Sequence, residues 1–413
     1  MSETSVISAR PDAPATDQSG APRVVHGPDH TGTPRLAAHG LTKHFTLRSG
    51  WFGRSPHVVH AVDDISIALP EATVTAVVGE SGSGKSTLAR LLTGLITPTS
   101  GKLLLDGEPV GKGEKARREY TSSVHLVLQD PFSSLNSVHT VRYHLERPLK
   151  LHSPLRGAAL DAKIKELLER VSLSPADLYV DKYPHELSGG QRQRVAIARG
   201  LAVEPRVLLA DEPVSMLDVS IRLGVLNLLD ELRERERLAT MYVTHDIASA
   251  RYLADTIVVM YAGQVVESGP ATQITDSPAH PYTQLLLSAA PDPAREVAPV
   301  LRGRGAPPSL VTPPSGCRFH PRCPFVMPVC KEQTPPHLPA GDRQFAACWL
   351  HSPEHDAGGQ SPLLQVAGGP AASAPEAAEG STEDVSAGPE LTAGSAGPAG
   401  QEAPAVGAPE ADE

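Results

Sequence analysis

Three groups of side chains in this sequence are spaced so that they could do chemistry: a glycine-rich run ending in a lysine, two adjacent carboxylates closing an apolar run, and four cysteines confined to one region. The first is Gly79-Glu80-Ser81-Gly82-Ser83-Gly84-Lys85-Ser86-Thr87. It fits the Walker A pattern G-x-x-x-x-G-K-[ST]. Its glycines let successive backbone N–H groups converge on phosphate oxygens, and the following helix N-terminus adds a favourable dipole. Lys85 is then placed for the β- and γ-phosphates and the Ser86 hydroxyl for Mg²⁺. In the second group, Val207-Leu-Leu-Ala-Asp-Glu212, Asp211 would complete the Mg²⁺ shell. Glu212 would accept a proton from water attacking the γ-phosphate, which suits hydrolysis better than transfer to an acceptor. Plainer readings exist for both: a Gly/Ser-rich surface turn, and a helix cap or salt bridge.

These groups need rigid supports, and the flanking patterns supply them. The apolar run Val74–Val78 predicts a strand before the loop, and Leu88-Ala-Arg-Leu-Leu92 predicts a helix after it. Residues 1–34 are rich in Pro, Ala, Gly, Ser and Thr without periodicity and predict a disordered arm. Leu41–Phe45 reads as a strand end whose Phe45 could stack on adenine or simply pack in the core. Trp51 and Phe52 fall in an extended hairpin loop, and Val62–Leu69 reads as a strand. Further strands are expected over 99–107, 123–128, 207–212 and 240–244, with a final hairpin from Thr256 to Glu267. The charged run Lys112–Arg118 reads as a solvated helix face. Between about 132 and 190 the pattern is helical, with Ile164, Leu167, Leu168 and Val171 on one face. The expected division is a nucleotide-binding domain over 35–270, a cysteine-bearing extension over 271–350, and a disordered acidic tail over 351–413.

With 40 Pro and 35 Gly in 413 residues, compact structure throughout is not expected. From His351 onward there are eleven Asp/Glu and no Lys or Arg, so a whole-chain formal charge of −10 leaves about +1 for the rest. The folded part thus has no basic excess pointing to nucleic acid. No apolar h-region or membrane-spanning run is visible, so a cytoplasmic location without a transmembrane segment is expected.

Leu187-Ser-Gly-Gly-Gln191, between the phosphate loop and Asp211-Glu212, resembles the signature of ATP-binding cassette ATPases. Gln129, Asp218 and His245 stand in the order of that family's remaining elements. His280-Pro-Tyr282, the run Gln129–Asn136 and the cysteine-bearing extension are similar to the ATPase subunits of oligopeptide and dipeptide importers, closer to the second, F-like, type. The resemblance implies an α/β cassette with a mainly parallel P-loop sheet, an antiparallel β subdomain, an inserted helical subdomain and a small C-terminal extension. It implies that Phe45 stacks on adenine and that Gly79, Ser81, Gly82, Gly84, Lys85, Ser86 and Thr87 bind phosphates. Gln129 would sense Mg²⁺ and the attacking water, Glu212 would be the general base, and His245 would contact the γ-phosphate. Ser188, Gly189, Gly190 and Gln191 would bind ATP held by a facing cassette, and Asp218 would communicate across that dimer. The implied partners are a second, related ATPase subunit, two membrane permeases and an extracytoplasmic binding protein, with the chain at the cytoplasmic face of the membrane. Met216, where a small residue is usual, and Asn136-Ser-Val-His-Thr140 depart from the family pattern.

Cys317, Cys323, Cys330 and Cys348 lack the paired knuckles of typical zinc sites. Four thiolates on Pro-rich loops can hold a [4Fe-4S] cluster, as some members of the resembled family are thought to do; zinc or no metal are the alternatives. No residue pattern places them in the ATP site, so Cys323→Ser is expected to leave nucleotide binding intact. Relatives of this type carry peptides, nickel, glutathione or sugars. A soluble cassette ATPase, or a kinase or GTPase on the same scaffold, is the competing reading.

Overall fold

Apolar residues at every position of Val74–Val78 require burial on both faces, which a strand obtains at the centre of a parallel sheet covered by helices. The computed structural model describes Gly27 and residues 32–47, 57–130, 134–289 and 305–354, and places this strand there. In chain order the first half comprises β1 (Leu36–Leu47), β2 (His57–Leu69), β3 (Val74–Val78), α1 (Lys85–Leu92), β4 (Ser100–Leu105), β5 (Glu108–Pro109), α2 (Glu114–Ser123) and β6 (Val124–Val127). Then come α3 (Val141–His152), α4 (Gly157–Arg170), α5 (Gly189–Leu201), β7 (Val207–Asp211), α6 (Val219–Glu236), β8 (Ala239–Thr244), α7 (Ile247–Leu253), β9 (Thr256–Tyr261) and β10 (Gln264–Pro270). The last part holds α8 (Ala271–Asp276), α9 (Pro281–Ala289), α10 (Pro328–Glu332), β11 (Leu338–Gly341) and β12 (Gln344–Ala346).

Two sheets result. The smaller, of order β2-β1-β4-β5, is antiparallel and is the expected β subdomain. The larger runs β11-β12-β10-β9-β3-β8-β7-β6, parallel from β6 to β9 and antiparallel beyond. Strand alternation divides β3 between two cores: Val74, Ala76 and Val78 pack with the helical subdomain side, and Val77 packs with Leu88, Leu91 and Leu92 of α1. In α4, Leu160, Ile164, Leu167 and Leu168 are buried, as the helical spacing predicts, each contributing roughly 1.5–3 kcal/mol. Val171 is buried as well, but as the C-cap.

The sequence reading differs from this fold in two places. The β1–β2 hairpin is longer than expected, pairing Leu47 with His57; Trp51 and Phe52 lie outside the described residues. The extension is not merely appended, because β12 pairs with β10 and prolongs the main sheet by two strands. Strands of only four and three residues carry no period-2 signal and become visible only through their pairing. The arm up to residue 26 and the tail from 355 also fall outside the described residues. Among the described residues no helix is long and apolar enough to cross a membrane.

Candidate nucleotide site

The phosphate loop joins β3 to α1, which starts at Lys85. Gly84 has φ +104, and a Cβ there would lie 2.3 Å from the Ala61 carbonyl oxygen, so no other residue fits. Lys85 is buried and donates to the carbonyls of Gly79 at 2.7 Å and Glu80 at 2.9 Å. Desolvation lowers its pKa, against the raising influence of Glu212, Asp211 and Glu80. Ser83 Oγ is buried in the same loop without a hydrogen-bond partner.

Ser86 donates to Asp211 at 3.1 Å, bringing together the two oxygens expected to bind Mg²⁺. Burial pushes the Asp211 carboxyl up, and Glu212 adds to this while the Ser86 bond opposes it. A carboxylate and a hydroxyl beside a buried, partly unfavourable negative charge fit a hard cation that prefers oxygen.

Glu212 follows the last residue of β7 with φ +47, a left-handed conformation that costs a non-glycine residue roughly 1–2 kcal/mol. Its N–H donates to Val243 of the neighbouring strand at 2.9 Å, which holds the turn. One carboxylate oxygen, Oε2, accepts from Gln129 Nε2 at 3.1 Å and lies 3.2 Å from His245 Nδ1. Three residues 33 or more apart in sequence thus meet at one oxygen, since parallel strands β6, β7 and β8 all end on the same side. Phe45 is 37% exposed on β1, with Lys43 Nζ 5.0 Å from its ring centre; it is not a core residue.

The other expected residues lie apart from this loop. Ser188 caps α5, accepting from Gln191 N–H at 3.3 Å, while its own N–H donates to Gln191 Oε1 at 3.0 Å. Among the described residues, no hydrogen bond joins Ser188, Gly189 or Gly190 to the phosphate loop. Asp218 is the exposed N-cap residue of α6, and its side chain makes no capping bond. Met216, Val219 and Leu223 around it are 55%, 80% and 50% exposed, an apolar surface beside a charged one.

The four cysteines are free thiols. Burial pushes Cys317 up to about 12 and Cys323 up to about 11, and raises Cys348 as well; backbone N–H groups of Phe319, Phe325 and Leu350, each two residues on, act in the opposite direction. The expectation of a metal cluster is not confirmed by their spacing. No three of their sulfurs lie within 4.8 Å of one another, whereas bonds of about 2.3 Å to tetrahedral zinc would set thiolates about 3.8 Å apart.

The sequence reading missed what the extension does to the phosphate loop. Arg322 grips the Glu80 carboxylate through both terminal nitrogens, at 2.9 and 3.1 Å, and Tyr282 Oη accepts from the Glu80 N–H at 2.8 Å. Asp63, at the foot of the β subdomain, is bound by Arg318 and His44; burial pushes its carboxyl up, but these two partners outweigh it. The sequence contains no spacing signal for contacts between residues 242 positions apart. The His280-Pro-Tyr282 element also acquires a structural reason. Glu267, fully buried, accepts from the N–H groups of Ala279 and His280 at 2.8 and 2.9 Å and so caps α9.

An ABC transporter family model matches residues 62–215, and a model described as the C-terminal region of oligopeptide/dipeptide transporters matches 266–330. The oligopeptide transport ATP-binding protein AppF of Bacillus subtilis is 42% identical over 77% of this chain and 97% of its own length. The dipeptide transport ATP-binding protein DppF of Escherichia coli is 41% identical over 76% of this chain and 94% of its own. Among solved structures, cbiO1 of Clostridium perfringens, part of an ABC transporter complex, matches with TM-score 0.51 at 29% identity, over 59% of this chain and 90% of that one. A dimeric ATP-binding cassette in a post-hydrolysis state with ADP and Pi matches with TM-score 0.50 at 27% identity, over 57% and 98%.

Proposed function

The chain belongs to the ATP-binding subunits of oligopeptide/dipeptide ABC transporters, and from that premise we propose that it energises peptide import as one half of a split ATPase, with the residue roles given below. It hydrolyses ATP, and membrane permeases and a substrate-binding protein complete the transporter, which the ATPase serves from the cytoplasmic side. Residues 35–270 form the nucleotide-binding domain, with the helical subdomain at about 132–190, and 271–350 form the extension.

The observation that carries this reading is the separation of two half-sites within one chain. One half holds Lys85, Ser86, Asp211 and the Gln129–Glu212–His245 group. The other offers the exposed Ser188 and, behind it, the backbone N–H groups at the start of α5. A facing cassette closes each half with the other's complement, and the exposed Met216, Val219 and Leu223 beside Asp218 support a seam there. The facing cassette is a related but different subunit.

In the closed site Lys85 leaves the carbonyls of Gly79 and Glu80 for the β- and γ-phosphates. Phe45 stacks on the adenine. Glu212, oriented by Gln129 and His245, takes the proton of the attacking water, and the N–H groups beside Ser188 stabilise charge on the γ-phosphate. Ser86 and Asp211, with Gln129 nearby, would hold Mg²⁺, which would supply charge neutralisation at the phosphates. Hydrolysis and phosphate release open the dimer, and the helical subdomains pass that motion to the permeases. Exposed Val138, Leu151 and Leu178 on that subdomain support its role as the permease-facing surface.

The finer assignment for the cysteines is a [4Fe-4S] cluster held by Cys317, Cys323, Cys330 and Cys348. Two buried thiols, Cys330 and Cys348, and two half-buried ones, Cys317 and Cys323, with backbone N–H groups aimed at three of the sulfurs support it. Anaerobic affinity purification from the native membrane fraction tests these readings together. A second cassette, two permeases, a binding protein and brown visible absorption are expected. A protein recovered without any membrane partner would overturn the importer assignment, and a colourless one the cluster.

A further inference from the structure

Every polar group of Glu80 is engaged. Its carbonyl accepts from Lys85 Nζ at 2.9 Å and from Ser83 N–H at 3.2 Å, both within the phosphate loop. Its N–H and its carboxylate are held from outside the loop, by Tyr282 and Arg322 of the extension. The Walker A pattern leaves residue 80 unspecified, so the Glu80 side chain has no duty toward phosphate and is free to serve as a handle.

The hand on that handle is itself fixed. The Arg322 side chain is 10% exposed, its guanidinium lies 5.7 Å from the centre of the Tyr261 ring and 5.9 Å from that of Phe319, and it donates to Tyr261 Oη at 3.3 Å. The rings of Tyr261, Tyr282 and Phe319 pack on one another with centroids 4.5 to 5.5 Å apart. A planar fork held this way defines the position of a carboxylate in two directions, which a lysine could not do.

This arrangement matters when nucleotide arrives. Lys85 must then release the carbonyls of Gly79 and Glu80, removing two of the bonds that close the loop on itself and leaving that of the Ser83 N–H to the Glu80 carbonyl. The three hydrogen bonds from the extension remain. We propose that Arg322 is a positioning residue for ATP binding, which with Tyr282 holds the phosphate loop in its phosphate-accepting shape by gripping Glu80. The extension is then a working part of the nucleotide site, and its removal from Glu80 shifts the cost of ordering the loop onto ATP binding.

The test measures the affinity of the full chain for a fluorescent Mg-ATP analogue, with thermal unfolding recorded alongside. Arg322→Gln and Glu80→Gln should each weaken binding about tenfold, and the double variant should be no weaker than either single one. The exchange of Arg322→Glu with Glu80→Arg should recover most of the loss, which a general loss of structure would not do. Tyr282→Phe keeps the ring packing and removes only the acceptor for the Glu80 N–H. It should weaken binding about threefold, and it decides the matter if the Arg322 variants do not fold. Unchanged affinity in a folded Arg322→Gln or, in that fallback, in Tyr282→Phe would overturn the proposal, as would additive losses in the double variant. Failure of the wild-type chain to bind the analogue would instead overturn the nucleotide assignment on which the proposal rests.

Discussion

The phosphate loop and the extension packed behind it both bury charged groups, but they treat them differently. In the loop region Lys85 bonds to backbone carbonyls that nucleotide must displace, Asp211 is pushed up by burial, and Ser83 Oγ has no partner. Behind it, Glu267 accepts from two backbone N–H groups and from Gln344 Nε2 at 2.7 Å, and Asp63 is bound by Arg318 and His44. Groups in the first region hold capacity for something that arrives; these groups in the second are matched within the chain. A buried charge without its final partner marks the chemistry, and a fully matched one marks the mounting.

The strongest way to break this comparison is to remove one group from the first region. Glu212→Gln keeps the shape of the side chain and removes its basicity. Phosphate release should fall by about 10²–10⁴-fold, with ATP still bound and the paired cassettes held closed. Lys85→Ala should fail earlier, at ATP binding itself. Turnover assays together with size-exclusion of the ATP-loaded pair distinguish the two, and normal turnover in either variant would remove the catalytic assignment.

The second region should respond in stability, and to acid. His280 is 1% exposed, its Nδ1 accepts from the Tyr282 N–H at 3.0 Å, and burial pushes its pKa down to about 3, with His351 and His337 adding to this. The unfolded chain takes up a proton near the ordinary value of about 6.5, while the folded one resists until about 3. The stabilisation from neutral His280 is therefore complete above about pH 6.5 and is lost as pH falls toward 3. By pH 5 the loss is about 2 kcal/mol. Denaturant titrations at pH 7 and pH 5 should show this loss, and His280→Gln should reduce it. An equal acid response in the variant would show that His280 is not the group responsible.

The same contrast explains what could be read from the sequence. Nucleotide-site residues occupy fixed positions in short patterns because phosphate geometry is the same wherever it is bound. The loop and Asp211-Glu212 are both visible in this way. So are the strands that carry them, because a parallel sheet demands unbroken apolar runs. The mounting was not visible. Arg322 meets Glu80 and Arg318 meets Asp63 across 242 and 255 residues, through side chains whose partners are chosen by packing rather than spacing. The two strands that join the extension to the main sheet, of four and three residues, are also too short to announce themselves. Glu212 was assigned to the strand end, but its left-handed backbone, which turns the carboxylate toward Gln129 and His245, needed the structure.

The smallest effect tests where the two regions meet. Cys323 is the neighbour of Arg322 in sequence, yet the sulfur makes no bond to the phosphate loop; it accepts from the Phe325 N–H instead. A serine hydroxyl can accept the same N–H, while Arg322 keeps its own bonds to Glu80 and Tyr261. Cys323→Ser should therefore change ATP affinity by less than about threefold, under about 0.7 kcal/mol, even where it abolishes the visible absorption of a cluster. A tenfold loss in a folded variant would mean that Arg322 is held in place by what the cysteines bind rather than by the aromatic rings around it. The extension would then carry a signal from the thiols to the phosphate loop, and mounting and chemistry could no longer be treated as separate regions.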